Sequence, residues 1–143
     1  MKAVLLFLAG IVSGAASWAL CGAITGTFEP FDNTTGFFIC QTTLALPALI
    51  VGLRSGILRA LLCLLGAWVG MNAYAYLFGS SETRAWIVLL MFSSLTLLVF
   101  PSIAGIIGGT ARALRRRSEQ KSILAHNASA TASSSRAAPV DRV

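Results

Sequence analysis

Four uncharged polar side chains at similar depth in long apolar stretches are the groups best suited to recognise a solute or to join two helices. They are Gln41, Asn72, Ser93 and Ser94. With a rise of about 1.5 Å per helical residue, each lies about 8 to 12 Å from the same end of the predicted bundle. We therefore predict a polar layer. It is either a hydrogen-bonded clasp between Gln41 and Asn72, worth about 0.6 to 2 kcal/mol, or a small polar site that opens at that end.

Residues for catalysis or metal binding are scarce in this sequence. The apolar stretches contain no Asp, Glu, Lys or Arg, and the single histidine, His126, lies near the C-terminus. Cys21, Cys40 and Cys63 form no CxxC pair, and there is no HExxH motif. Because catalytic triads and metal sites need such groups close together, we predict no catalytic residue, no metal ligand and no cofactor. The protein is expected not to be an enzyme.

Two prolines interrupt apolar stretches in the half away from the polar layer. Pro47 and Pro101 each lack a backbone donor, so the carbonyl four residues earlier loses its helical partner. We expect helix kinks at both residues. Paired interruptions can also mark the substrate site of a transporter, and this alternative stays open.

Pairs of glycines four residues apart recur in the apolar stretches. They are Gly10 and Gly14, Gly66 and Gly70, and Gly105 and Gly109. Such pairs lie on one face of a helix and let two backbones approach closely. They predict either packing between helices of one chain or the interface of a homo-oligomer.

Four long apolar stretches carry all of these residues. The chain of 143 residues is 56% hydrophobic and only 11% charged. A helix of about 17 to 25 residues crosses the hydrocarbon core, and helices satisfy their own backbone hydrogen bonds in lipid. We therefore predict an all-α membrane protein. Its four-helix transmembrane domain occupies residues 1–110, with spans at about 3–28, 36–53, 60–79 and 86–109.

The net charge of +6 follows from where the basic residues fall. One side of the predicted bundle carries Lys2, Arg54, Arg59, Arg112, Arg115, Arg116, Arg117 and Lys121, and the other carries Arg84 with Glu29, Asp32 and Glu82. Lys and Arg concentrate on the cytoplasmic side of membrane proteins, so both termini are predicted to be cytoplasmic. Short loops are typical of a bacterial inner-membrane protein. Its expected partner is the lipid bilayer, and we do not expect it to bind nucleic acid.

A weak internal similarity relates the two halves of the chain. At a shift of 56 residues, Gly10, Gly14 and Trp18 align with Gly66, Gly70 and Tyr74, and at a shift of 54, Pro47 aligns with Pro101. Small transport proteins are often built from duplicated helix pairs. The alternatives are two parallel-repeat helix pairs or a chance similarity.

The composition changes after the last apolar stretch. Residues 111–121 are basic and are predicted to extend the fourth span as a cytoplasmic helix, with Arg115, Arg116 and Arg117 near anionic lipid head groups. Residues 122–143 are rich in Ala and Ser and have little apolar bulk, so a disordered tail is predicted there.

These patterns favour a non-enzymatic membrane component that packs through small residues and forms a homo-oligomer or joins another membrane protein. The first alternative is a channel or facilitator for a small solute or ion, which would use the polar layer around Gln41 and Asn72. A holin-like pore is a further alternative, since holins, like this chain, have short helices and a basic tail.

Overall fold

The computed structural model describes the backbone of residues 2–136 and the side chains of residues 2–124. The described residues are almost entirely helical and contain no strand. The helices are α1 (Lys2–Thr25), α2 (Thr34–Ser55), α3 (Ile57–Phe78), α4 (Ser81–Ala85), α5 (Ile87–Ser93) and α6 (Val99–Arg136). Short 3-10 segments cover Pro30–Asp32 and Ser94–Leu98.

Four helical segments are long and apolar enough to cross a membrane. They are α1, α2, α3 and the segment from Ile87 to Leu124, which contains α5 and most of α6. Large apolar side chains on their surfaces are widely exposed, for example Leu58 at 81% and Leu5 at 69%. Such surfaces suit hydrocarbon rather than water. The predicted all-α fold with four transmembrane helices is confirmed.

The turn between α2 and α3 consists of one residue. Gly56 ends α2, donates its N–H to the Gly52 carbonyl at 2.9 Å, and has a φ of 94°. A residue with a Cβ adopts that φ rarely, so glycine suits this turn. We define the basic end of the bundle as the end that holds Lys2 and Gly56. The acidic end holds the connections 26–33 and 79–86.

Side-chain caps set the starts of the helices at the acidic end. The Asn33 side chain accepts a hydrogen bond of 2.8 Å from the Thr35 N–H and begins α2. The Ser80 hydroxyl accepts one of 3.1 Å from the Thr83 N–H and begins the short helix α4. These bonds satisfy donors that have no partner within a helix.

The fourth span is broken, whereas the sequence predicts one helix over residues 86–109. Helix α5 passes into the 3-10 segment Ser94–Leu98, and α6 begins at Val99. The ring of Pro101 excludes a regular turn around the Leu97 carbonyl, so the helix restarts with Pro101 in its first turn. Hydroxyls reinforce the break, because Ser94 donates to the Met91 carbonyl at 2.9 Å and Thr96 to the Ser93 carbonyl at 2.7 Å.

The chain divides into two compact units, residues 1–112 and 113–143. In the second unit α6 runs on to Arg136, so residues 122–136 are helical where the sequence predicts a disordered tail. The alanines of this segment favour a helix, whereas its more numerous serine, threonine and asparagine residues have lower helix propensity. The remainder of the predicted tail, 137–143, lies outside the described residues.

The core of the first unit lies where α1, α2, α3 and the broken span meet. Its buried apolar side chains are Trp18, Cys21, Cys40, Leu44, Ala67, Met71, Ala75, Leu90 and Leu97. Aromatic rings close the core toward the acidic end, since Phe28 packs between Trp18 and Tyr74 with ring centroids 6.3 and 6.2 Å away. This half of the bundle is therefore held by side chains rather than by close backbone contact.

Candidate functional site: an acidic vestibule above a polar layer

A cavity of about 350 Å³ lies at the acidic end of the bundle. We call it the vestibule. Its polar lining comes from Glu29, Ser80, Glu82, Thr83 and Ser93. The α1–α2 connection forms one wall, and the α3–α4 connection with α4 and α5 forms the other. A small polar site at this end is one of the alternatives that the sequence leaves open.

Glu29 is held in place by a bond across the vestibule. Thr83 is buried, at 7% exposure, and its hydroxyl donates to Oε1 of Glu29 at 3.0 Å. The cap at Ser80 fixes Thr83 in turn, because their hydroxyl oxygens lie 3.1 Å apart and the Thr83 N–H donates to Ser80. The carboxylate of Glu29 is thus positioned by a chain of short-range contacts that begins at α4.

The vestibule carries negative charge. Glu29 and Glu82 both line it. The ion pair found within the described residues joins Arg115 to Glu119 in the second unit. Among the same described residues, neither Glu29 nor Glu82 pairs with a basic side chain. Arg84 instead donates from Nε to the Ser80 carbonyl at 3.4 Å. A cation that entered the vestibule would meet two carboxylates without a competing partner.

Two aromatic rings complete the wall of the vestibule. Phe31 and Trp86 both line it. Phe31 is braced by an edge-on contact with Trp18, with ring centroids 6.4 Å apart and planes at 75°. Aromatic faces attract organic cations through the ring quadrupole, and carboxylates add charge attraction. This combination is typical of a site for an ammonium ion that carries methyl groups.

The polar layer lies directly beneath the vestibule and joins α3 to the broken span. Asn72, 8% exposed, donates from Nδ2 to the Ser94 hydroxyl at 3.0 Å and to the Trp68 carbonyl at 2.8 Å. The indole N–H of Trp68 donates to the Met91 carbonyl at 3.1 Å. Ser93, the neighbour of Ser94, lines the vestibule. Three of the four predicted residues therefore form one polar region, in which Asn72 and Ser94 bond directly.

Gln41 has no hydrogen bond to Asn72 in the structure. It is buried at 3% exposure, and its Oε1 has no hydrogen-bond partner among the described residues. The Nε1 of Trp18, which is fully buried in α1, likewise has none there. An unpaired buried polar group costs about 1 to 3 kcal/mol. The expected clasp between Gln41 and Asn72 is replaced by the bond between Asn72 and Ser94.

The predicted glycine pairs lie in contacts within the chain. A Cβ on Gly10 or Gly14 would overlap carbonyl oxygens of α3, and one on Gly66 or Gly70 would overlap carbonyl oxygens of α1. A Cβ on Gly109 would overlap Ile57, and one on Gly105 would lie 3.2 Å from Ala60. These glycines are used for packing between helices of one chain, so they supply no argument for a homo-oligomer.

The remaining predicted residues lie away from the vestibule. Pro47 sits inside α2, which continues unbroken to Ser55, whereas Pro101 follows the break in the fourth span. Arg115, Arg116 and Arg117 are exposed on α6 in the second unit, and Arg115 bonds Glu119 at 3.0 Å. Their contact with lipid head groups stays a prediction. Within the described residues no group of His, Cys, Asp and Glu could hold a metal ion.

Sequence reasoning missed the residues that position Glu29. The pattern Ser80-Ser81-Glu82-Thr83 is a helix-start signal, and it would have revealed α4. The bond from Thr83 to Glu29 had no such signal, because the two residues are far apart in sequence and meet only through the packing of α1 against α3.

Comparison of the chain with protein families, with curated proteins and with solved structures found no match.

Proposed function

We propose that this chain is a multi-pass protein of a bacterial inner membrane that binds a small organic ammonium ion in its vestibule. Four membrane-spanning helices support the multi-pass part of the proposal. The binding role rests on the vestibule, where Glu29 and Glu82 stand beside Phe31 and Trp86. The proposed role is one of binding rather than catalysis.

The charge distribution supports an orientation with both termini in the cytoplasm. The basic end carries Lys2, Arg54, Arg59 and Arg112, and the acidic end carries three carboxylates and Arg84. Basic residues next to spans remain in the cytoplasm. The vestibule then opens to the extracytoplasmic side, where it can receive a solute from outside the cell.

The single observation that carries the proposal is the half-buried carboxylate of Glu29. Thr83 holds it against one wall of a cavity of about 350 Å³, and no basic side chain pairs with it among the described residues. Removing a carboxylate from water is costly, so a cationic ligand would offset part of that cost. A compact cation with methyl groups would contact the carboxylate and an aromatic ring together.

Choline is a suitable probe of this site, because it has a quaternary ammonium group and fits a cavity of this size. We expect purified full-length protein to bind radiolabelled choline saturably in equilibrium dialysis. Glu29→Gln keeps an oxygen that can accept from Thr83 but removes the charge, and we expect it to weaken binding at least about tenfold, which is about 1.4 kcal/mol.

Asp32→Asn is the matched control. Asp32 lies in the same connection but not in the lining of the vestibule, so its loss changes the net charge of the acidic end equally. Choline binding by this variant should stay within about twofold of the unmodified protein. Absence of saturable binding, or an equal loss in Asp32→Asn, would contradict the proposal.

A channel or facilitator for the same kind of solute would use the vestibule as its entrance. Uptake of choline into proteoliposomes separates transport from binding alone. Leu90 and Leu97 are buried in the core around the polar layer, so a path across the bundle would require these side chains to move. A holin-like pore or a larger assembly needs an interface between chains, and the glycine pairs do not provide one.

A further inference from the structure

The crossing of α1 and α3 is reciprocal. A Cβ on Gly10 would overlap the carbonyl oxygen of Cys63, and a Cβ on Gly66 would overlap that of Phe7. Gly66 follows Gly10 by 56 residues, and Cys63 follows Phe7 by the same number. The glycine of each helix therefore faces a carbonyl of the other helix, and the glycine and carbonyl of α3 follow those of α1 by the same 56 residues.

The same relation holds one turn further along these two helices. A Cβ on Gly14 would overlap the carbonyl oxygen of Ala67, and a Cβ on Gly70 would overlap that of Ile11. The interval is again 56 residues for both pairs. The contacts follow the same order in both helices, so α1 and α3 run parallel and are related by a local two-fold axis along their length.

A second pair of helices repeats the relation independently. A Cβ on Gly52 of α2 would lie 2.5 Å from the carbonyl oxygen of Gly105 in α6, and one on Gly108 would lie 2.6 Å from that of Leu49. Gly108 follows Gly52, and Gly105 follows Leu49, by 56 residues. One parallel pair can have a local two-fold by packing alone, but nothing in packing requires two separate pairs to share one interval.

We infer that residues 1–112 are a tandem duplication of one helical hairpin, with copies at 1–56 and 57–112 that pack as a parallel pseudo-dimer. Membrane proteins with parallel repeats have such an axis along the membrane normal. The copies have since diverged. The break at Ser94–Leu98 lies in the second copy alone, and most of the polar lining of the vestibule comes from that copy.

The two-fold has a consequence for the chain ends of the hairpins. It carries Gly56 onto Arg112 and Leu58 onto Lys2, so Arg112 should lie beside the start of α1 as Gly56 lies beside the start of α3. The order of the hairpins in the chain is then interchangeable without a linker, provided that the new one-residue turn at position 112 also has a glycine. The exchanged chain therefore carries Arg112→Gly. The polypeptide would run 57–112, then 1–56, then 113–143, with an added Met at its start.

We expect this exchanged chain to insert and fold with a thermal midpoint within about 5 °C of the original order carrying the same Arg112→Gly substitution. The readout is thermal denaturation of the purified protein together with the size of the monodisperse species. The matched control, which also carries Arg112→Gly, moves residues 1–28 instead and has the order 29–112, 1–28, 113–143. It opens the chain within the first hairpin and places its start at the acidic end, so we expect it not to fold.

Gly14→Leu, introduced into the original and the exchanged chain, provides a second measurement. If the pseudo-dimer is preserved, the substitution lowers the thermal midpoint by the same amount in both orders, within about 3 °C. An exchanged chain that fails to insert, or one that folds but is insensitive to Gly14→Leu, would overturn the inference. This test does not measure choline binding, so the outcome of the test is independent of the proposed function.

Discussion

Asn72 and Gln41 are amide side chains at similar depth, and the structure assigns them opposite roles. Asn72 makes hydrogen bonds to Trp68 and Ser94, and through them it holds the point at which the fourth span leaves helical geometry. The Oε1 of Gln41 is buried without a partner among the described residues. Depth alone made the two residues look equivalent in the sequence. The two amides differ because the orientation of each helix decides which polar groups lie beside its side chain.

Substituting leucine for each amide separates these roles. Asn72→Leu removes the side-chain donor to the Ser94 hydroxyl and the additional bond to the Trp68 carbonyl, and we expect it to destabilise the protein by about 1 to 3 kcal/mol. Gln41→Leu removes an unpaired buried oxygen and should be neutral or stabilising. Reversible denaturation in mixed micelles measures both. A loss in Gln41→Leu as large as that in Asn72→Leu would show that Gln41 is a clasp after all.

At the scale of the helix, glycine position along α1 determines how closely α3 can approach. Gly14 faces the backbone of Ala67, where a Cβ has no room, whereas the nearest atom to a Cβ on Gly22 is the Thr27 carbonyl oxygen at 3.6 Å. The two glycines are alike in sequence context and differ in what lies opposite them. They therefore form a matched pair for testing the crossing.

Gly14→Ala is expected to destabilise the protein by about 1 to 3 kcal/mol, because the added methyl group forces the two backbones apart. Gly22→Ala should be neutral or stabilising by up to about 1 kcal/mol through its higher helix propensity. Thermal or denaturant unfolding of the two variants in the same detergent gives the comparison. Equal effects of the two substitutions would be inconsistent with the close crossing of α1 and α3.

At the scale of the whole molecule, the orientation in the membrane is a prediction that rests on the distribution of charge. Ser81 begins α4 at the acidic end, and Ser118 lies on α6 in the second unit; both are exposed. In a variant whose three cysteines are replaced by alanine, we expect a membrane-impermeant maleimide to label Ser81→Cys in intact spheroplasts. It should label Ser118→Cys only after lysis. The reverse pattern would place the termini outside the cytoplasm.

The sequence was sufficient to predict the four spans, because lipid leaves an apolar, uncharged helix as the structure that satisfies the backbone. It did not reveal the 3-10 segment before Pro101, since a proline in a span is compatible with a kink or a break. The vestibule could not be predicted from the sequence for another reason. Glu29 and Thr83 lie far apart in the chain, and only the crossing of α1 with α3 brings them to 3.0 Å.

The one-residue turn at Gly56 leaves very little exposed backbone between α2 and α3. This turn offers no loop to which a soluble protein could bind. A tag inserted there would separate two helices that are joined by a single glycine. Communication with such a protein would therefore fall to α6 beyond Arg112. The proposed solute site and the part of α6 beyond Arg112 therefore belong to different segments of the chain, which can change independently.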